Sequence, residues 1–294
     1  MITAILIAAL TASLAFALGA RERQWLNLLS NRNDLAAAES IALSAVDLAR
    51  LTLRDDMRNN QVDHLLEAWT VPVPPINVEE GKVGGRLIEL QGCFNLYNLQ
   101  SGGKVSSKGV VSLQRLLATR ELSTLWAEPL AQAMADQVAL WQTKLAEDKA
   151  TNRSISKLLP VANLAELAEL AGVDGEKLMA LESLIVILPE ATSVNVNFAT
   201  PEVLMAITPG LSLKDAERLV SRRSTAHFKS AQEFVNALPE SMRTSTQSGS
   251  YTVESQYFLS ETNAWFGRAH SRLRVLLYRQ RGNLPETVWV RRGE

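Results

Sequence analysis

Catalysis or metal binding needs particular side chains at particular spacings, and this chain of 294 residues offers few of them. Its three histidines, His64, His227 and His270, are far apart in sequence, and none has metal-ligand spacing near a carboxylate pair. Zinc or iron calls for a cluster of such groups. No serine occupies a Gly-x-Ser-x-Gly elbow, and the single cysteine, Cys93, has no local signature of a nucleophile. In its strand-like setting Cys93 reads as a small buried hydrophobe, and one cysteine cannot form an internal disulfide that would reveal the compartment. The acids Asp55-Asp56 and Glu79-Glu80 are adjacent pairs. Adjacent side chains diverge on a helix and point to opposite faces of a strand, so both pairs read as solvated charge. Gly84-Gly85 lacks the lysine and hydroxyl that complete a phosphate loop. No twelve-residue calcium loop is visible, so calcium could be held only by loops distant in sequence, and no cofactor is expected. An anchored hydrolase thus lacks any convergent catalytic set.

The sharpest local signal is Val194-Asn-Val-Asn-Phe-Ala-Thr-Pro-Glu-Val-Leu-Met-Ala-Ile207, followed by Pro209-Gly-Leu-Ser212. It resembles a helix-hairpin-helix unit, in which a Gly-x-Gly hairpin offers backbone N–H groups to DNA phosphates. Gly210 is present, but Ser212 stands where the second glycine would be. Lys214, Arg218, Arg222, Arg223 and Lys229 are offset by Asp215 and Glu217, and the whole chain has a net charge of −1. That balance argues against binding by bulk electrostatics, so structural reuse of the module is favoured over a membrane-tethered DNA receptor. A second charge feature is the C-terminal set Arg268, Arg272, Arg274, Arg279, Arg281, Arg291 and Arg292, against Glu286. Such a face suits a membrane surface, an acidic partner or a solvated sheet edge.

The element that must position everything else is N-terminal. Residues 1–20 carry no charge and no proline, and their hydroxyls, Thr3, Thr11 and Ser13, can bond back to the preceding turn. Twenty such residues make a helix about 30 Å long, matching the hydrocarbon core of a bilayer. Ile2, Ile5, Leu6, Leu10, Leu14, Phe16 and Leu18 are the expected lipid-facing residues. A cleaved signal peptide would have a basic leader and a shorter apolar run. The helical pattern continues through 25–57 without glycine or proline, which predicts one helix of about 55 residues, its first third in lipid and the rest a stalk. Trp25, Leu28, Leu29, Leu35, Ala38, Ala42 and Ala45 are the candidates for packing on partner helices, small residues allowing close approach.

Beyond the stalk, Val71-Pro-Val-Pro-Pro75 breaks the helix, and 76–100 reads as strands, with Gly84-Gly85 as a hairpin corner. Helices are expected at 111–118, 122–145, 162–171 and 176–188. A well-punctuated unit follows at 192–238, where Thr200-Pro201-Glu202, Ser212 with Asp215, and Ser230 with Glu233 mark helix starts. After a polar linker at 241–250, alternation returns at 251–259 and 272–277, and Val288-Trp-Val290 ends the pattern. An isolated hairpin is marginal, so the early strands are expected to pair with the late ones and the helical block to be an insertion. The expected divisions are 1–57 anchor and stalk, 58–104 first part of the sheet domain, 105–246 insertion, and 247–294 closing strands.

In this order the pieces resemble one family, the K-type minor pseudopilins of bacterial type II secretion systems. The resemblance rests on the apolar start running into a long helix, Gln91-Gly-Cys-Phe-Asn-Leu-Tyr-Asn-Leu99, Ser193-Val-Asn-Val-Asn-Phe-Ala-Thr200, and Ser255-Gln-Tyr-Phe258 leading into the closing strands. Pseudopilins generally carry a glutamate at the fifth mature position, and the K-type characteristically lacks it. Ile5 fits that pattern if Met1 lies near the mature start. The resemblance implies an α+β fold: a pilin-like N-terminal helix on an antiparallel sheet, with a large all-helical, SAM-like or helix-hairpin-helix-like insertion. It further implies single-pass anchoring in the inner membrane with the head in the periplasm. The implied partners are the I- and J-type minor pseudopilins and the inner-membrane secretion platform, in a hetero-oligomer at the pseudopilus tip. No enzymatic activity and no nucleic acid are implied.

Overall fold

A computed structural model describes residues 1–79, 81–150, 160–243 and 249–293. Its first element, α1, is one helix from Ile2–Asn59, 58 residues without a break, about 87 Å long at 1.5 Å per residue. Within the apolar stretch Thr11 Oγ1 donates to the Ile7 carbonyl and Ser13 Oγ to that of Ala9, at 3.0 and 2.8 Å, so neither hydroxyl is left bare.

Five antiparallel strands form the sheet: β1 (Val73–Val78), β2 (Gly81–Glu89), β3 (Tyr257–Phe266), β4 (Ala269–Tyr278) and β5 (Glu286–Gly293), paired in that order. The early hairpin does pair with the late strands, through β2 and β3. α1 crosses one face of the sheet, where Ala42, Val46 and Leu53 pack with Trp69, Phe258, Ala264, Leu273, Val275 and Leu277. Pro74 and Pro75 are tolerated because β1 is an edge strand, bulged between Val73 and Ile76.

Between β2 and β3 lies the insertion, whose helices include Ser107–Ala118, Ala127–Ala150, Leu164–Ala171, Pro201–Ile207, Leu213–Thr225 and Ala231–Ala237. It has its own core, which includes Leu113, Leu130, Met134, Leu204, Phe228 and Phe234. Thr200, Ser212 and Ser230 cap three of these helices as their sequence punctuation predicts. Gly210, at φ +78°, supplies the tight turn between the first two.

Four local expectations are corrected. Gly84 and Gly85 lie within β2, not at a corner, and the turn falls between Val78 and Gly81. Glycine stands at 85 because a Cβ there would come within 2.5 Å of the Glu261 carbonyl oxygen on β3. The strand expected up to residue 99 ends at Glu89, and Phe94, Leu96 and Leu99 join the core of the insertion instead. The helix expected at 176–188 is only Gly175–Leu178 with a further turn. The β-branched Ile185–Val186 extends instead to pair with Phe94–Asn95. At 251–259 the strand is broken before Tyr257, where the Ser255 N–H leaves the ladder to donate to Asp63 Oδ2 at 2.6 Å. Glu80 and part of the 241–250 linker lie outside the described residues.

Gly85→Ala should lower the unfolding free energy by about 1–3 kcal/mol, since neither backbone can give way cheaply. Gly175→Ala, whose Cβ would sit 3.5 Å from Ala168 Cβ, should be tolerated. Denaturant unfolding of the two variants beside the parent chain checks the contrast.

Candidate assembly interface

The sheet backs only the second half of α1. The hairpin between β3 and β4 reaches Asp34, whose Oδ2 accepts from the Arg268 N–H at 3.3 Å. Before that point the helix stands free. Ile2, Ile5, Leu6, Leu10, Leu14, Phe16 and Leu18 are exposed by 59–81 %, and α1 is the described helix long and apolar enough to cross a membrane. Trp25, Leu28, Leu29 and Leu35 continue this bare apolar surface, each at least half exposed. Ala38 and Ala42 do not: both are fully buried against the chain's own sheet. Their small size serves the close approach of helix to sheet inside the subunit, which removes them from the partner-packing set. Ala45 is half-buried beside an apolar groove of about 270 Å³ lined by Leu48, Trp69, Val73 and Leu87. Leu26 and Leu43 are also exposed apolar residues of α1, at positions the sequence pattern had not singled out, and Leu48 is exposed on the same helix.

The upper end of the stalk is held by a buried polar web. Arg279, at the end of β4, is 1 % exposed. Its Nη2 donates to both carboxylate oxygens of Asp63 and, at 2.8 Å, to the Ser255 carbonyl, while Nη1 donates to Asp56 Oδ2 at 3.0 Å. Its guanidinium also lies over the Phe258 ring, 4.6 Å from the centroid. Glu67 accepts from Asn60, the His64 backbone and Trp69 Nε1, closing the loop after α1. Ser255 Oγ bridges outward, donating to Glu89 and accepting from Asn195 Nδ2. Glu89 takes the Gln91 and Gly92 N–H groups at 2.7 Å each, and Gln91 Oε1 takes that of Gln256. Asn197 donates to the Asp63 and Phe228 carbonyls, tying the stalk loop to the insertion. Across the same junction the His64 and His227 rings stack at 3.8 Å, although they are far apart in sequence.

Carboxylates outnumber cations in this web, and burial works in the same direction. Burial, then the charge of Glu67, pushes Asp56 up to about 6 against the opposing pull of Arg279. Burial pushes Glu89 up to about 7 and raises Asp63 and Glu67. Burial lowers both histidines, which favours the neutral form of the stacked pair. Asp56 is therefore no solvated half of an Asp55-Asp56 pair, and Arg279 is not part of a solvated basic face. Oxygens of Asp56, Asp63 and Glu67 lie within 4.8 Å of one another, as a cation site would require. Arg279 already supplies the positive charge on two of them.

Several polar groups of the helix-hairpin-helix-like unit are paired within the chain. Ser212 Oγ donates to Asp215 Oδ2 and caps the Asp215 N–H, and Arg218 pairs with Asp215. Arg222 pairs with Glu233, and the buried Arg223 donates to the Val196 carbonyl. The unit is a structural part of the insertion.

A long N-terminal helix laid on an antiparallel sheet, free at its apolar start and interrupted by a helical block, defines a pilin-like subunit with an inserted domain. The comparisons narrow the class. The family described as type II secretion system protein K matches residues 92–190 and 194–254, and the chain belongs to that family. It is 29 % identical over 286 residues to type II secretion system protein K of Pseudomonas aeruginosa, covering 88 % of this chain and 81 % of the relative. To that of Klebsiella pneumoniae it is 28 % identical over 300 residues, covering 95 % and 91 %. Its fold is similar to a chain of the GspK-GspI-GspJ complex from enterotoxigenic Escherichia coli. The TM-score is 0.64 at 21 % identity, covering 93 % of this chain and 99 % of that one.

Two outcomes are expected of the web. Arg279→Met leaves Asp63 buried without its counter-charge and should cost about 3–5 kcal/mol of stability. Asp56 binds its proton more tightly folded than unfolded, so its contribution is full below the ordinary value of 3.8 and is lost as pH rises through about 6. Asp56→Asn should remove that part of the decline, on the order of 1–3 kcal/mol after allowance for solvent screening, as measured by urea unfolding across this pH range.

Proposed function

We propose that this chain is a minor pseudopilin that starts and caps the type II secretion pseudopilus, supporting export of folded proteins by assembly rather than catalysis. One observation carries the reading: before Asp34, α1 is not covered by its own sheet, and beyond its membrane-length apolar segment it exposes Trp25, Leu28 and Leu29, with Leu35 just after. Apolar surface of that extent is stabilised by burial, in lipid at one end and against other rods at the other. The partners are the I- and J-type minor pseudopilins, in keeping with the complex in which the similar fold was solved, together with the inner-membrane secretion platform. The chain crosses the inner membrane once, with its head in the periplasm. The insertion enlarges the head, which suits a last position from which nothing further stacks.

Full-length chain with Trp25, Leu28 and Leu29 all changed to Ser should lose co-purification with the I- and J-type partners from detergent. Each buried leucine is worth about 1.5–3 kcal/mol. An undiminished complex would overturn the proposal. Loss of anchoring without loss of complex would show that these residues serve lipid alone.

A further inference from the structure

Two of the groups through which the insertion meets the stalk loop are imidazoles. His64 lies in the loop after α1, and His227 in the loop between the helices Leu213–Thr225 and Ala231–Ala237. Their rings are 3.8 Å apart and 11° from parallel. Next to them is Asn197, whose Nδ2 donates to the carbonyls of Asp63 and Phe228 at 3.2 and 2.9 Å and whose Oδ1 accepts the Phe228 N–H at 2.9 Å. A chain neighbour of each histidine is thus tied to one buried side chain. The stacked rings are themselves only half-buried, so a proton reaches them without the fold opening.

The geometry calls for an unprotonated Nδ1 at His64. That atom accepts the Leu66 N–H at 3.2 Å, so a proton added there sets two N–H donors against each other. One charged ring can still lie on a neutral one, but two charged rings at this spacing repel. The acids that face the pair are already engaged. Asp56 and Asp63 hold Arg279, the Glu67 carboxylate accepts the His64 N–H, and Glu233 pairs with Arg222 and accepts the Lys229 N–H. Burial lowers His64 against the pull of Asp56 and Asp63. Burial, then the charges of His64 and Lys229, lowers His227 against the pull of Glu233.

We propose that His64 and His227 form a proton-sensitive latch, which holds the insertion on the stalk loop while the rings are neutral and frees that edge of the junction when both are charged. The two protons bind as a coupled pair. Both histidines hold protons less tightly folded than unfolded, so their contribution is whole above the ordinary value of 6.5 and is lost as pH falls below it. Asp56 titrates with the opposite sign, so the latch shows at the junction and not in overall stability. It is a property of this chain alone and stands or falls apart from the assembly role.

The test follows hydrogen exchange in the full-length chain in detergent micelles, corrected for the intrinsic rate, from about pH 7.5 to about pH 4.5. Protection of residues 62–66 and 226–229 should fall about tenfold in the parent over that range, as one unit of displaced protonation implies. His64→Phe with His227→Phe keeps a ring stack that takes no proton, and its protection there should not fall. An equal fall in parent and variant would overturn the proposal by assigning the change to the carboxylates of the web. An unchanged parent would overturn it as well. Should the double variant fail to fold, ring-labelled histidine in a His270→Gln chain leaves the two signals of the pair. Both should titrate below 6.5 in step with the loss of protection. Titration completed with protection intact would overturn the latch.

Discussion

The ion pair between Arg279 and Asp63 fixes where the parts of this protein meet. It joins segments 216 residues apart, at a point where the stalk helix has just ended, the fourth strand is ending and the insertion both leaves and returns. Taking both charges out of water is costly, and the attraction between them repays it only when every remaining donor and acceptor is satisfied. Here most are: Asp63 also accepts from the Ser255 N–H, and Arg279 also reaches Asp56 and the Ser255 carbonyl. Arg279 Nε is left without an acceptor, although it is buried. An apolar contact tolerates sliding, but a buried charge pair ringed by hydrogen bonds does not, because any shift strands a charged group.

That distinction bears on why the two larger cores are separate. The sheet and α1 share one cluster of apolar side chains, the insertion has another, and a small third one, Leu188 with Tyr257 and Leu276, lies where sheet meets insertion. Between them run Ser255, Glu89, Gln91, Asn195 and Asn197, all buried and all hydrogen-bonded. A polar seam of this kind adds little net stability but specifies orientation, because any shift strands a buried donor. The insertion is thereby held at a set angle to the rod.

The same residues account for what was legible in the sequence. Gln91, Asn95, Asn98, Asn195, Asn197 and Ser255 belong to the stretches that carried the family resemblance. The structure shows why polar residues stand there: Asn95 and Asn98, for instance, bind the backbone around Glu190 and Thr192. Helix starts in the insertion were also legible, because a cap and its recipient are three residues apart. Distant pairing was not. Arg279 sits in a run of arginines and differs from them only in facing Asp63, and Gly85 resembles a turn residue until the Glu261 carbonyl is placed beside it. Ala38 and Ala42 marked a helix face correctly, but spacing alone does not say whether that face meets the chain's own sheet or another rod.

The two faces of the sheet then divide the work. On one, Ala38 and Ala42 allow α1 to lie close, and Val46 and Leu53 complete the packing on Phe258, Leu273 and Val275. On the other, Arg86 on β2, Arg274 on β4 and Arg291 on β5 share a row with Glu261 on β3, and the directly opposed Arg274 and Arg291 repel unless something answers them. Glu261 answers two of them from within the chain. Arg291 relies on an aromatic ring and the Ala162 carbonyl. The polar seam through Ser255 and Glu89 sets the insertion beside that face at one angle, because any shift would strand a buried donor.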